Sequence, residues 1–121
     1  MIYNIQRIFN LNDVFDKLVY TTSDNKKNKN ATILNELVKV TSVRLSNFKK
    51  NGVKCFSCNR KGTHFRFQMK DNESKYHLAL YSDDDIEMTK DHIIPKSKGG
   101  TNSYSNVQVM SRKNNRAKFN R

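Results

Sequence analysis

Apolar and polar positions alternate most clearly in the middle of the chain. Over residues 63–70, Thr63, Phe65, Phe67 and Met69 fall on one side and polar residues fall between them. A period of two is typical of a half-buried strand. Residues 76–81 alternate in the same way, and residues 86–94 form a third extended segment that Pro95 ends. We therefore predict a pair of hairpin strands followed by a third strand.

The first 50 residues follow a helical spacing instead. Asn12 is placed to cap a helix over about 12–20, and Thr32 to cap a second helix that stops at Asn51-Gly52. The apolar positions of the second helix are Leu34, Leu37, Val38, Thr41, Leu45 and Phe48. Because residues 38–43 are rich in β-branched side chains, a break in this helix stays open. Residues 21–31 lack large apolar side chains and predict a loop.

The last element is a short basic helix over about 111–119, with Ser111 as its cap. The order of helices, hairpin strands, loop and helix predicts an α+β fold. We expect a helical N-terminal extension over residues 1–52 and a core over residues 53–121, together in one compact domain.

The charge of the chain predicts a polyanionic partner. There are 23 Lys and Arg against 11 Asp and Glu, a net charge of +12. No acidic residue follows Asp91, so every Asp, Glu, Lys or Arg position after it is Lys or Arg. This balance favours DNA or RNA as the partner. No apolar run approaches the roughly 20 residues of a membrane span, and no signal peptide is evident, so a cytoplasmic location is expected.

Cys55 and Cys58 form a C-x-x-C pair. Without a secretory signal a structural disulfide is not expected, and the pair reads as half of a zinc site, as a redox pair or as a reduced turn.

Asp91 and His92 place a carboxylate and an imidazole side by side at the end of a predicted strand. Successive strand residues point to opposite sides, so one side chain faces a metal ion and the other faces water. Hydrolysis of a phosphodiester needs a general base for water, which histidine supplies, and a divalent ion to balance charge. Asn115, on the last helix, adds a neutral oxygen ligand, which suits the sparse coordination of Mg²⁺.

The segments DHIIPKSKGGTN, SNVQVM and NRAK resemble the motif of HNH endonucleases, also called the ββα-metal fold. The spacings agree, with 106 − 92 = 14 residues from the histidine to the middle asparagine and 115 − 106 = 9 to the last one. The resemblance covers about residues 53–118. It implies a core of a β-hairpin, a loop and a C-terminal helix.

The resemblance also implies roles for individual residues. His92 would be the general base, and Asn106 would hold the loop and orient His92 through its backbone. Asp91 and Asn115 would bind the catalytic Mg²⁺ or Mn²⁺. The residues expected to contact nucleic acid are Lys96, Lys98, Arg112, Lys113, Arg116 and Lys118.

The sequence departs from the family pattern at one place. Many HNH proteins carry a second C-x-x-C on the final helix, whereas the matching positions here are Ser111 and Asn114. A four-cysteine zinc site therefore cannot form, and structural zinc is not expected. His64 and His77 are the other candidate zinc ligands, but their spacing is irregular.

The resemblance implies a metal-dependent endonuclease that hydrolyses DNA, expected to be double-stranded. A monomer would nick, and double-strand cleavage would need a homodimer or two events. The alternative is a nucleic-acid-binding module on an HNH scaffold whose cleavage is weak or depends on a partner, for example in a phage packaging complex.

Overall fold

A computed structural model describes residues 3–18 and 29–119, with the side chains of residues 4–18 and 29–115. The described elements are β1 (Tyr3–Asn10), α1 (Leu11–Phe15), β2 (Asn30–Ile33), β3 (Glu36–Lys39), α2 (Val43–Asn51), β4 (Gly62–Lys70), β5 (His77–Ser82), β6 (Glu87–His92), a 3₁₀ turn (Lys96–Lys98), β7 (Val107–Ser111) and α3 (Arg112–Phe119). No described helix has the length and apolar character needed to cross a membrane.

The main sheet has five antiparallel strands in the order β1-β4-β5-β6-β7. The edge formed by β7 is covered by side-chain and backbone donors from earlier in the chain. Asn47 of α2 donates to the Gln108 carbonyl at 3.1 Å, and Asn51 donates to the Val107 carbonyl at 2.9 Å. The Phe56 amide donates to the Val109 carbonyl at 2.8 Å. These bonds satisfy edge groups that would otherwise be open to pairing with another chain.

One hydrophobic cluster joins the first half of the chain to the sheet. Phe65 of β4 is fully buried, and Phe15 packs edge-on against it with ring centroids 5.5 Å apart. Phe48 of α2 lies 6.4 Å from the same ring. Leu78 and Leu80 of β5 belong to the cluster too. Burial of these large apolar side chains is the main favourable term that fixes α2 against the sheet.

The α+β fold class is confirmed, but the N-terminal helices were predicted with the wrong bounds. Residues 3–10 form a strand that pairs with β4, and α1 is a single short helix that ends at Phe15. Asn10, not Asn12, is its N-cap, and the Asn10 amide donates to Asp13 Oδ2 at 3.0 Å. Val19 and Tyr20, which the predicted helix included, lie outside the described residues.

The second predicted helix begins ten residues too early, since Ser42 rather than Thr32 is its cap. The first part is a two-stranded hairpin, β2 with β3, joined by Leu34 and Asn35. Both turn residues have positive φ, at 48° and 71°, as a two-residue hairpin turn requires. β-Branched side chains favour strands, so the break left open at the β-branched run is present, and the chain becomes helical only after it.

The remaining elements agree with the pattern. The strands β4, β5 and β6 are confirmed, as are the stop at Gly52 and the cap at Ser111, whose Oγ accepts from the Asn114 amide at 3.2 Å. The strand β7 was not predicted. It pairs with β6, so the hairpin that precedes α3 is β6-β7 rather than β4-β5.

Replacement of Phe65 by Ala should lower the free energy of unfolding by about 3–5 kcal/mol, because it leaves a cavity between α1, α2 and the sheet. Urea unfolding followed by circular dichroism measures the change. Phe56→Ala is the matched control, because that ring is 73% exposed and its loss should change stability by less than about 0.5 kcal/mol. Equal losses in the two variants would contradict this account of the core.

Candidate active site

The end of β6 presents Asp91 and His92 on opposite sides of the strand. Asp91 lies opposite Gln108 of β7, and His92 lies opposite Val107. The Asp91 side chain is only 4% exposed, and its Oδ2 accepts a hydrogen bond from Gln108 Nε2 at 2.7 Å. A buried carboxylate needs donors or a cation to remain charged, and Gln108 supplies one donor.

The His92 ring is fixed by the side chain of Asn102. His92 Nε2 lies 2.7 Å from Asn102 Oδ1. With the amide oxygen as acceptor, the imidazole proton sits on Nε2 and Nδ1 is the basic nitrogen of the neutral ring. This contact therefore selects the nitrogen that can take a proton from water.

Asn106 closes the loop of residues 93–106 between β6 and β7. Its Nδ2 donates to the carbonyls of Ile94 at 3.1 Å and Thr101 at 2.8 Å, and its Oδ1 accepts from the Ile94 amide at 2.9 Å. The Asn106 carbonyl also accepts from the Ile93 amide at 2.8 Å. One buried side chain thus fixes the backbone that directly follows His92.

The double glycine makes this loop compact. Gly99 has a φ of 89°, a left-handed conformation that glycine adopts without strain. At Gly100, a Cβ atom would lie 1.7 Å from the Ile94 carbonyl oxygen. A side chain at position 100 would therefore push apart the two segments that Asn106 joins.

Asn115 of α3 lies against β6 on the side of Asp91. Its Nδ2 donates to Thr89 Oγ1 at 2.9 Å, and Thr89 precedes Asp91 by two residues, so both strand side chains point to the same face. Asn115 Oδ1 is buried and has no hydrogen-bond partner among the described residues. Buried acceptors in proteins normally have a partner, so this oxygen is available to a hydrogen-bond donor or a cation.

Asp91 and Asn115 offer oxygen atoms, which suit hard divalent ions such as Mg²⁺ or Mn²⁺. Within residues 3–18 and 29–119, no group of three or more His, Cys, Asp or Glu side chains is placed to hold a metal ion. An ion at this site would have few protein ligands and would take its others from water and phosphate, as Mg²⁺ commonly does.

The basic residues that the sequence singled out belong to the loop after β6 and to α3. Lys96 and Lys98 are exposed on the 3₁₀ turn of the loop, and Lys113 is exposed at the start of α3. Arg112 pairs with Glu87 at 3.0 Å. Arg116 and Lys118 belong to α3, but their side chains lie outside the described part of the chain.

Cys55 and Cys58 contact the N-terminus of α3. Cys55 Sγ accepts from the Ser111 amide at 3.2 Å, and Cys58 Sγ lies 3.8 Å from Ser111 Oγ. Burial raises the pKa of the Cys55 thiol, but hydrogen bonds from Ser111 and Cys58 outweigh it, and the pKa falls below its usual value. The C-x-x-C turn therefore meets one of the two positions that carry cysteine in many HNH proteins.

His64 and His77 lie elsewhere on the sheet. His64 lies 3.0 Å from Thr63 Oγ1, and His77 lies 3.7 Å from Glu73. Burial lowers the pKa of both imidazoles, and the charges of Arg66 and Arg44, respectively, lower it further. Neither histidine forms a cluster of metal-ligand type with the cysteines over the described residues.

Sequence reasoning missed three residues that contact the predicted ones, namely Asn102, Gln108 and Thr89. Gln108 could have been found if β7 had been predicted, because the pairing of β6 with β7 brings it opposite Asp91. Asn102 follows the double glycine, but its distance from His92 depends on the path of the loop, which no periodicity describes.

Replacement of Asn106 by Asp should destabilise the loop, because it exchanges the two Nδ2 donor bonds for contacts between oxygen atoms. We expect a loss of about 1–3 kcal/mol in the free energy of unfolding, together with faster hydrogen exchange at the Ile94 amide. Asn72→Asp, in an exposed turn, is the matched control. Unchanged stability and exchange in the Asn106 variant would contradict the role of this amide in loop closure.

Comparison with known proteins supports the resemblance found in the sequence. Residues 81–121 match the family model described as HNH endonuclease. Searches of curated proteins and of solved structures gave no match. The matched residues comprise β6, the loop, β7 and α3, which are the elements that carry Asp91, His92, Asn106 and Asn115. Residues 81–121 are therefore similar to an HNH endonuclease domain.

Proposed function

We propose that this protein is a metal-dependent endonuclease that hydrolyses phosphodiester bonds of double-stranded DNA, with nicking as the activity of a monomer. The observation that carries the proposal is the arrangement around β6. A buried carboxylate and a buried amide oxygen without a hydrogen-bond partner lie on one face, and an imidazole whose Nε2 contacts Asn102 lies at the end of the same strand. HNH nucleases generally use a divalent metal ion.

The residues divide the chemistry among them. His92 Nδ1 accepts the proton of the attacking water, while Asn102 holds the opposite nitrogen. Asp91 and Asn115 would hold Mg²⁺ or Mn²⁺, and Gln108 orients Asp91. When bound, such an ion balances the charge that builds up on the phosphate and stabilises the leaving oxygen. Attack by water on phosphorus would leave 3′-hydroxyl and 5′-phosphate ends, as the resemblance implies.

The role of His92 is tested with supercoiled plasmid in Mg²⁺, Mn²⁺ or EDTA. The protein should convert the plasmid to the nicked form only with metal, and His92→Ala should slow this by roughly 10²–10⁴-fold, the usual contribution of a general base. His77→Ala is the matched control, a half-buried histidine paired with Glu73. Cleavage by His92→Ala at the normal rate would overturn the assignment. Plasmid retardation without cleavage in any metal would favour the binding module.

Asn102 is a positioning residue whose acceptor oxygen, rather than its shape alone, should matter. Asn102→Ala should lower the nicking rate by roughly 10–100-fold, as loss of a residue that orients an active-site ligand or base commonly does. Asn102→Asp keeps an oxygen acceptor for His92 Nε2 and should retain activity within a few-fold. Ser103→Ala is the control in the same loop. Equal loss in the Ala and Asp variants would show that the contact with His92 is not what matters.

A further inference from the structure

A cleft of about 490 Å³ lies between the start of α2, β6 and α3. Its polar lining includes Arg44, Glu87, Thr89, Lys90, Arg112 and Asn115. We propose that this cleft binds a phosphate group of the nucleic-acid backbone next to the bond that is cleaved, with Arg44 and Arg112 as its positioning residues. The proposal rests on the proposed function, because it assigns the cleft to the same substrate.

The charge of the cleft favours an anion. Three of the residues that line the cleft are cationic (Arg44, Lys90 and Arg112) and one is acidic (Glu87), so the formal balance is 3 − 1 = +2. Glu87 is only 8% exposed and serves both arginines. Its Oε1 accepts from Arg112 Nε at 3.1 Å and lies 3.0 Å from Nη2, and its Oε2 lies 4.0 Å from Arg44 Nη1. A guanidinium has five N–H donors, so one shared carboxylate leaves both arginines able to bind another anion.

The Arg44 side chain is held in position, but one of its N–H groups makes no hydrogen bond. Its Nη2 donates to the Leu78 carbonyl, while Nε is buried with no hydrogen-bond partner among the described residues. Burial lowers the pKa of this guanidinium, and the neighbouring Glu87 opposes the shift. A buried N–H without an acceptor is costly, and an anion in the cleft would both satisfy it and favour the charged form.

The residues that carry an unpartnered buried donor and an unpartnered buried acceptor both line this cleft. Arg44 Nε needs an oxygen atom, and Asn115 Oδ1 needs a donor or a cation. A phosphodiester supplies oxygen atoms to the arginines, and its accompanying cation meets the amide oxygen. Arginine forks match phosphate geometry well, which favours phosphate over a smaller anion.

The position of the cleft connects it with cleavage. Thr89 and Asn115 line the cleft and are hydrogen-bonded to each other, and Asp91 follows Thr89 on the same face. A phosphate bound by Arg44 and Arg112 would therefore lie beside the candidate metal ligands. In this arrangement α2, which precedes the HNH domain, contributes a side chain to substrate binding.

Binding is measured by fluorescence anisotropy of a labelled 16-base-pair duplex in EDTA, over a series of salt concentrations. Arg112→Gln should weaken binding several-fold and lower the slope of log K against log salt by about 0.9, the loss of one phosphate contact. Arg112 is 44% exposed, so this variant should fold. Arg44→Lys keeps the charge, removes the Nε donor and should also weaken binding. Arg60→Gln, which loses an arginine paired with Asp84 outside the cleft, is the matched control.

A second measurement reports on the cleft directly. In ¹H–¹⁵N spectra, titration with inorganic phosphate and then with the duplex should shift the Nε–H signals of Arg44 and Arg112 in a saturable way. The Arg60 signal should stay in place. Equal shifts at all three arginines, or equal affinities for Arg112→Gln and Arg60→Gln, would overturn the proposal.

The two proposals fail in different ways. If plasmid is nicked and Arg112→Gln binds the duplex as Arg60→Gln does, the phosphate site is wrong and the nuclease stands. If no metal supports cleavage but the Arg112 and Arg44 effects are found in EDTA, the cleft binds phosphate and the catalytic proposal is wrong.

Discussion

The side-chain amide of Asn106 is the interaction on which the site most depends. Closing a flexible loop costs conformational entropy, and residues 93–106 lack the regular backbone hydrogen bonds of paired strands that would offset that cost. The Asn106 side chain offsets part of it with three hydrogen bonds to the two backbone segments that the loop brings together. The close approach at Gly100 makes those bonds possible. His92 then leaves β6 with a defined direction, and Asn102 is brought within reach of its ring.

The β6-β7 pair transmits this order to the rest of the molecule. β6 pairs with β5 only at Glu87 and Met88, so at Asp91 the strand is held by β7 alone. β7 carries Gln108, whose backbone is held by Asn47 of α2 while its side chain holds Asp91. A residue of the first half of the chain is thus two contacts away from a candidate metal ligand. Rigid support of this kind limits the movement of the Asp91 side chain.

Local pattern predicted the strands β4, β5 and β6, and the fixed spacing of the motif singled out four candidate site residues. The second helix was predicted to begin too early because Leu34 and Leu37 recur at helical spacing although they are exposed in and next to a hairpin turn. β7 was missed because its burial comes from β6 and α2, which are remote in sequence. The contact of His92 with Asn102 and the pairing of Glu87 with two arginines depend on tertiary packing, and no sequence period encodes them.

The attachment of α2 to the β7 edge bears on how this domain can be engineered. A graft of residues 81–121 alone would carry the HNH-like motif but would lack the Asn47 and Asn51 donors that cover the β7 edge. Uncovered edges promote association between copies. The motif therefore should not be grafted alone. A graft has to include α2 together with the strands against which it packs.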